Sequence, residues 1–486
     1  MRRFAALLAL LASGCATMEP NYLAPDSAVP PSWPAGSVDL SQAEAALPAL
    51  TFRQVFTDPR LQTLIGQALA NNRDLMVAAG NIAAAREQYR IQRAQQLPQL
   101  AASAGMTVRG DEADAVSADF QAGLQVPNFE LDLFGRLRSL SRVQQQRYFA
   151  TEAGARATRL ALVADIASTW LDYAADSSLL QVSQQTVATA EKSVRLTRLR
   201  LEGGIAPRTD LSQAQEILSQ AQANLALQKT NLAQDANALQ LLIGGPFDRA
   251  LLPASIEQAG PTIAELPAGL GSAVLLRRPD IVQAEYQLRA ANANIGAARA
   301  ALFPKISLTG LLGVASSALT SLLTGGAFAW SAGADASYTI FQGGAGRANV
   351  RLTEAQRNAA LASYQRTIQT AFREVADALA RRVTMDEQLA ATQRQQAAAA
   401  DVATLVEARY RNGIDSYLNL LDAQRSYYQV QQTLVQTRRT AAQNRVELYR
   451  ALGGDSLIQN VPLCAVRYVS YANRSNLASV CPPLQP

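Results

Sequence analysis

The sequence predicts a mainly α-helical chain with a membrane β-barrel portion, built as a duplicated helix–β-hairpin–helical-hairpin repeat. Three observations predict it. First, the stretch Arg200 to Gln215 matches the stretch Arg409 to Gln424: Gly204 aligns with Gly413, Ile205 with Ile414, and Ala214-Gln215 with Ala423-Gln424. The same offset holds at Gly244-Gly245 and Gly453-Gly454, so the chain carries a long internal duplication. Second, four segments alternate apolar with polar or small residues, the pattern of strands that face two different solvents. Third, a long stretch with helical character and no proline follows each pair of alternating segments.

The chain opens on a short positive region, Met1-Arg2-Arg3, then an apolar run from Phe4 to Ala12, then Ser13-Gly14-Cys15. Residues 1–14 read as a bacterial secretory leader, too short to act as a membrane anchor. The segment resembles a lipoprotein leader, which implies that Cys15 is lipidated and becomes the first residue. Ala12 departs from that pattern, which prefers Leu. Ala16 in place of an aspartate fits sorting to the outer membrane. The alternative is an ordinary signal peptide that carries a cysteine. Residues 15–55 are rich in Pro, Ala and Ser without periodicity and read as an extended tether.

The first repeat is expected over 56–245. Ordered structure is expected to begin near Asp58-Pro59, where Leu61, Leu64, Ile65, Ala68 and Leu69 fall at helical spacing. Pro98 ends this helical stretch and has a counterpart at Pro304 in the second repeat, 266–454. Strands are expected at about 98–108 and 119–132, and again at about 304–314 and 328–341. Leu100, Ala102, Ala104, Met106 and Val108 share one face, as do Phe120, Ala122, Leu124 and Val126. In the second copy Phe328, Trp330, Ala334 and Ala336 oppose Ser331, Asp335 and Ser337. Strands of about ten residues suit a barrel wall with lipid outside and water inside. Four strands cannot close a barrel, and an open sheet edge is not tolerated in lipid. Closure therefore requires other copies of the chain; with small barrels starting at about eight strands, two chains are the minimum.

Helical hairpins are expected over 137–243 and 347–452. From Asn349 to Arg411 there is neither proline nor glycine, and at 1.5 Å per residue such a helix reaches roughly 90 Å. Thin apolar stripes such as Leu160, Val163, Ile166 and Trp170 suit close lateral helix packing. Pro207 suits a first helical turn, and Asp415 or Ser416 can cap the other return helix. Residues 246–265 read as a linker and 455–486 as a C-terminal tail.

Composition narrows the chemistry. The chain has 17% charged residues and no histidine, which removes His-based general bases and every His-containing metal site. Past the leader no apolar run of about 20 residues exists, so no transmembrane helix is available. Lys and Arg are scattered, which argues against nucleic acid as a partner. No Gly-rich phosphate loop follows a strand and no carboxylate pair stands out, so an enzyme, a metal and a cofactor are not expected. Asn292-Ala293-Asn294 and Arg277-Arg278 read as helix surface and capping. Cys464 and Cys481 lack CxxC spacing and are candidates for one disulfide in an oxidising compartment.

Specific motifs run through nearly the whole chain: Pro20-Asn21-Tyr22, Asp58-Pro59-Arg60-Leu61, Asn72-Arg73-Asp74-Leu75, Glu130-Leu-Asp-Leu-Phe-Gly-Arg136, Arg277-Arg278-Pro279-Asp280-Ile281, Phe303-Pro304-Lys305-Ile306 and Leu420-Leu-Asp-Ala-Gln-Arg425. With these the chain resembles the outer-membrane factor (TolC-like) family, most closely the lipoprotein subgroup serving resistance-nodulation-division efflux pumps. Phe129 departs from the Trp usual there, and the tail after Gly454 is longer than the family pattern. The resemblance implies a homotrimer with a twelve-stranded β-barrel in the outer membrane and a twelve-helix α-barrel in the periplasm. It also implies that the hairpin tips dock on a periplasmic adaptor protein bound to an inner-membrane efflux pump.

The tips are Gly203, Gly204, Ile205 and Ala206 in the first copy, and Asn412, Gly413 and Ile414 in the second. Asp415, Leu418 and Asp422 follow at spacings of three and four and are expected to share one helix face. For a lone helix that face reads as solvated. Three copies around an axis make an apolar ring at Leu418 and a carboxylate ring at Asp422, with at least one carboxylate raised by repulsion. The resemblance places the periplasmic constriction at Leu418 and Asp422. Arg409 and Arg411 are candidates to pair with these acids. The first copy has no acid at Ser212, so the gate is assigned to the second hairpin. Two other functions stay open: the outer-membrane channel of a protein secretion system, and a non-conducting coiled-coil scaffold.

Overall fold

The computed structural model describes residues 17–23, 51–110, 116–265, 272–323 and 326–454. Cys15, Cys464 and Cys481 lie outside the described residues. In chain order come α1 (Phe52–Val55), α2 (Pro59–Asn71), α3 (Arg73–Ala94), β1 (Ala101–Gly110), β2 (Val116–Leu131), α4 (Arg136–Glu202) and α5 (Arg208–Ile243). After the short α6 (Ile256–Ala259) the pattern returns with α7 (Pro279–Ala300), β3 (Lys305–Ser316), β4 (Phe328–Ser337), α8 (Ala345–Arg411) and α9 (Tyr417–Ala451). β4 thus ends at Ser337, short of the expected 341. No helix among the described residues is long and apolar enough to cross a membrane.

The contacts divide the chain into two units, the first comprising 1–27, 80–153 and 282–367. It holds one antiparallel sheet in the order β1-β2-β3-β4. The register sets the apolar residues in rows across it. Ala102 pairs with Leu124, Leu124 with Leu312, and Leu312 with Trp330; Ala122, Val314 and Phe328 form the next row. Met106, Leu124, Leu312, Phe328 and Trp330 are all exposed, Trp330 at 70% of its surface. Among the described residues, nothing covers these side chains of the apolar face.

β2 carries a bulge between Val126 and Phe129, where the register with β3 shifts by one residue. One extra residue in a period-two pattern moves later side chains to the opposite face. The sequence compensates: apolar residues sit at even positions up to Val126 and at odd positions from Phe129, with Phe129 opposite Leu308 and Leu131 opposite Ile306. Glu130 is thereby turned to the other face, where Arg136 Nε and Nη2 donate to its two oxygens at 2.7 and 2.6 Å. Asp132 accepts from the backbone N–H groups of Leu137 and Arg138 at 3.0 and 2.8 Å and so caps α4.

Residues 17–23 form neither helix nor strand and pack on this unit. Glu19 accepts from Arg142 at 2.8 Å, and the Pro20 carbonyl accepts from Asn292 Nδ2 at 2.8 Å. The Glu19 backbone crosses Gly296 so closely that a Cβ there would lie 2.9 Å from Glu19 Cα. Asn292 is buried, not on the helix surface as expected.

The second unit comprises 28–79, 154–281 and 368–486. Its core gathers Trp170, Ile166, Val163 and Leu171 of α4 with Leu239 and Ile243 of α5. Leu61, Leu64 and Ile65 of α2 join them, as does Tyr449 of α9. Order begins before Asp58: Phe52 and Val55 are buried, and Phe56 stacks edge-on against Tyr449 at 5.2 Å. The 246–265 stretch is part of this core, since Ile256, Ala259 and Ile263 are buried and Phe56 bridges to Ile263. Ser178 Oγ donates to Glu257 at 2.8 Å and accepts from Ile256 N at 3.0 Å.

The duplication reappears as two equivalent clasps. In the first repeat Asn72, just before α3, donates from Nδ2 to the Leu242 carbonyl at 2.8 Å. In the second, Arg278, just before α7, donates from Nη1 to the Ala451 carbonyl at 2.8 Å. Arg278 also reaches Asp280 at 2.8 Å and Glu374 at 2.9 Å and is buried, which corrects its expected place on the surface. A buried arginine is tolerated here because two carboxylates and a carbonyl surround it.

Candidate functional site

The two hairpin tips lie in the second unit and are built by one device used twice. α4 ends at Glu202, and Gly204 takes φ +67°. Gly204 N–H donates to Leu201 O at 3.0 Å and Ile205 N–H to Arg200 O at 2.8 Å. Gly413 takes φ +74°, its N–H donating to Tyr410 O at 3.0 Å, and Ile414 N–H donates to Arg409 O at 2.9 Å. Both are Schellman ends, which need a left-handed residue that only glycine adopts without strain. Pro207 then precedes α5, and Ser416 Oγ caps α9 by accepting from Asn419 N. Ile205 and Ile414 follow the glycines and remain exposed. Asn412 Nδ2 is engaged by the Ala408 carbonyl at 2.8 Å, so the amide serves the turn.

Just above the tips the two hairpins meet. Val194, Ala214, Tyr410, Tyr417, Leu420 and Leu421 form a buried cluster, edged by Leu211, Ile217 and Val406. Arg200 of the first hairpin donates to the Tyr410 carbonyl at 2.8 Å and lies 4.6 Å above its ring. The Tyr410 and Tyr417 rings are 5.6 Å apart, and burial pushes the Tyr417 hydroxyl well above its ordinary range. Sequence reasoning missed this cluster. Two tyrosines flanking a glycine turn, with an arginine in the matched copy, were its only signal.

With Tyr417, Leu420 and Leu421 turned inward, Leu418 and Asp422 point the other way. Leu418 is 64% exposed and Asp422 is exposed one turn later. Asp415 does not join them. It precedes the helix, and its carboxylate folds back to accept from Arg409 Nε at 2.7 Å. The hydrogen bond from Arg409, a pairing the sequence offered, holds the Asp415 carboxyl below its ordinary range. Arg411 pairs with Glu407 of its own helix, not with these acids.

This geometry has counterparts among known proteins. A sequence model of the family described as outer membrane efflux protein matches residues 64–245 and again 270–454. This chain belongs to the outer membrane efflux protein family. The doubled match follows the duplication, and each half ends at a Gly-Gly pair. Among family members, the antibiotic efflux pump outer membrane protein ArpC of Pseudomonas putida is 41% identical over 92% of this chain and 94% of its own. The cation efflux system protein CusC of Escherichia coli is 36% identical over 92% of this chain and 97% of its own. The crystal structure of the open-state MtrE outer membrane channel of Neisseria gonorrhoeae superposes with a TM-score of 0.80 at 35% identity. It covers 90% of this chain and 98% of that one. The fold is that of an outer-membrane efflux channel.

Proposed function

We propose that this chain is the outer-membrane exit duct of a tripartite efflux pump, passing substrates from a periplasmic adaptor and an inner-membrane pump to the exterior. One observation carries the reading: a four-stranded sheet that ends on β1 and β4 and exposes an apolar face of Leu124, Leu312, Phe328 and Trp330. Such a sheet is stable in lipid only when its edges are closed by further strands. Three copies supply twelve strands, and the family likeness supports that number. In the trimer Leu418 and Asp422 ring the axis and form the periplasmic gate. Gly203, Gly204, Ile205, Ala206, Asn412, Gly413 and Ile414 present the docking tips. Cys15 carries the acyl anchor, and Cys464 bonds to Cys481.

The test is the protein purified from outer membranes and reconstituted in a planar bilayer. A heat-resistant trimer on detergent gels with discrete single-channel currents is expected. A non-conducting trimer makes the chain a coiled-coil scaffold and ends the duct reading.

A further inference from the structure

In the first unit the two halves of the duplication differ in how their helices are covered. α3 and α7 are both 22 residues long and match residue for residue; α4 and α8 match in the same way at 67 residues. Their burial does not match. Val143 of α4 packs with Ala290 and Ala293 of α7 in a buried cluster. The Phe149 ring lies 5.4 Å from the Tyr286 ring, and a Cβ on Gly296 would lie 2.9 Å from Ser139 Oγ. α7 thus lies along α4 with its small residues buried. In α3 the places of Ala290, Ala293 and Gly296 are taken by Ala84, Glu87 and Arg90, and all three are exposed. In α8 the place of Val143 is taken by Leu352, which is 54% exposed where Val143 is 3% exposed.

The strands account for the difference and point to the missing cover. β2 pairs with β3, so α4, which follows β2, is brought beside α7, which leads into β3. β1 and β4 are the outer strands of the sheet. α3 leads into β1, and α8 follows β4. On the reading of the sheet as part of a closed barrel, on which this inference rests, β4 of one copy pairs with β1 of the next. The directions agree, because every neighbouring pair in the sheet is antiparallel and β1 runs with β3. That pairing sets α8 of one copy beside α3 of the next, as the β2–β3 pairing sets α4 beside α7. A head-to-tail contact of this kind closes into a ring.

We infer that α8 of one copy packs against α3 of a second copy in the register in which α4 packs against α7 within a chain. Leu352 then sits against Ala84 and the methylene stem of Glu87, and Asn358 sits opposite Gly80. Residues 17–23 take no part in this seam. Their backbone passes over Gly296, where a Cβ would lie 2.9 Å from Glu19 Cα, and the matching residue of α3 is Arg90, paired with Glu87 at 2.8 Å. Asn292, which holds the Pro20 carbonyl, is matched by Arg86. The helical wall therefore has two kinds of seam. One lies inside each copy and is strapped by residues 17–23; the other lies between copies and is closed by side chains alone.

The experiment is cysteine cross-linking of the full-length protein in outer membranes. Ala84→Cys combined with Leu352→Cys places both thiols at positions exposed in a single copy. Oxidation by copper phenanthroline, or a short bismaleimide, should join them into covalent dimers and trimers on non-reducing gels after heating. The parent and each single variant show what the native cysteines contribute. Ala84→Cys combined with Arg366→Cys displaces the second thiol by about four turns, about 21 Å along α8, and should yield no covalent oligomer. Leu352→Asp should lower the temperature at which trimers fall apart while leaving the helical circular dichroism of the parent. In a protein that is trimeric by native mass spectrometry, no covalent oligomer from the first pair overturns the inference. An equal yield from the displaced pair, or an unchanged dissociation temperature for Leu352→Asp, overturns it as well. A parent that is monomeric by the same measurement refutes instead the barrel reading beneath it, and the seam with it.

Discussion

Asp235 on α5 offers a quantitative test of the helical packing in the second unit. Burial, and then the neighbouring carboxylates Asp176 and Asp172 of α4, push its pKa up to about 7 from 3.8. Arg439 of α9 offsets part of this; its Nε lies 2.6 Å from Asp172 Oδ1, which also accepts from Gln443 at 2.6 Å. Burial raises Asp172 and Asp176 as well. A carboxyl whose folded pKa exceeds its unfolded one favours folding below the unfolded value, and that favour is lost as pH rises through the folded value. A rise from 3.8 to about 7 is worth about 4 kcal/mol for a fully buried group, at about 1.4 kcal/mol for each tenfold change in acidity. Asp235 is only half-buried, and solvent screening reduces this to about 2 kcal/mol. Asp235→Asn removes the charge. It should therefore stabilise the protein by about 2 kcal/mol at pH 8 and by less than half of that at pH 5. Urea unfolding followed by helical circular dichroism at the two pH values checks this. No gain at pH 8, or an equal gain at both, refutes the reasoning.

Four further sets of variants have definite expected outcomes. Leu418→Ala and Asp422→Ala should each raise single-channel conductance, with the double variant higher still; parent-like currents in both place the constriction elsewhere. Gly313→Ala puts a Cβ 2.2 Å from the Ala122 carbonyl oxygen and should cost about 1–3 kcal/mol, read as a lower temperature of trimer dissociation on gels. A charge at Ile205 or Ala206 should abolish drug resistance while trimers still form, and undiminished resistance counts against docking at the tips. Cys15→Ala should lose palmitate label yet stay in the outer membrane, because a closed barrel holds it more firmly than one acyl anchor; label retained by the variant removes the lipid from Cys15.

Much of this fold was legible because it rests on periodicity and on glycine. The matched Gly204 and Gly413 turns, the stripe from Leu160 to Trp170 and the apolar rows through Leu124, Leu312 and Trp330 are local patterns, and each sits where its spacing puts it. The bulge was legible in principle, since Pro127 interrupts a strand just where apolar residues change parity. What spacing could not give was the start of α9. Asp415, Leu418 and Asp422 share a face only if all three are helical, and the Ser416 cap excludes the first. Nor could it give partners distant in the chain. Arg278 reads as surface because arginine is seldom buried, and only the folded chain brings Glu374 and the Ala451 carbonyl to it. The Arg200 contact with Tyr410 was hidden for the same reason.

The two clasps also bear on movement. The first is a neutral amide on a carbonyl, whereas the second fastens Arg278 to the Ala451 carbonyl at the C-terminal root of α9 and holds it there with Asp280 of α7 and Glu374 of α8. A helix pinned at one end behaves as a lever. Leu418 and Ala451 lie at opposite ends of α9, about 50 Å apart at 1.5 Å per residue, so a rotation of about 5° at the root carries Leu418 through about 4 Å. In the proposed gate, an aperture ringed by three such levers would change its width by several ångströms with no helix unwinding. The stiffness of the second clasp then becomes a condition of travel at the far end: loosening Arg278 would spend the rotation as slack at the root and leave the aperture less responsive.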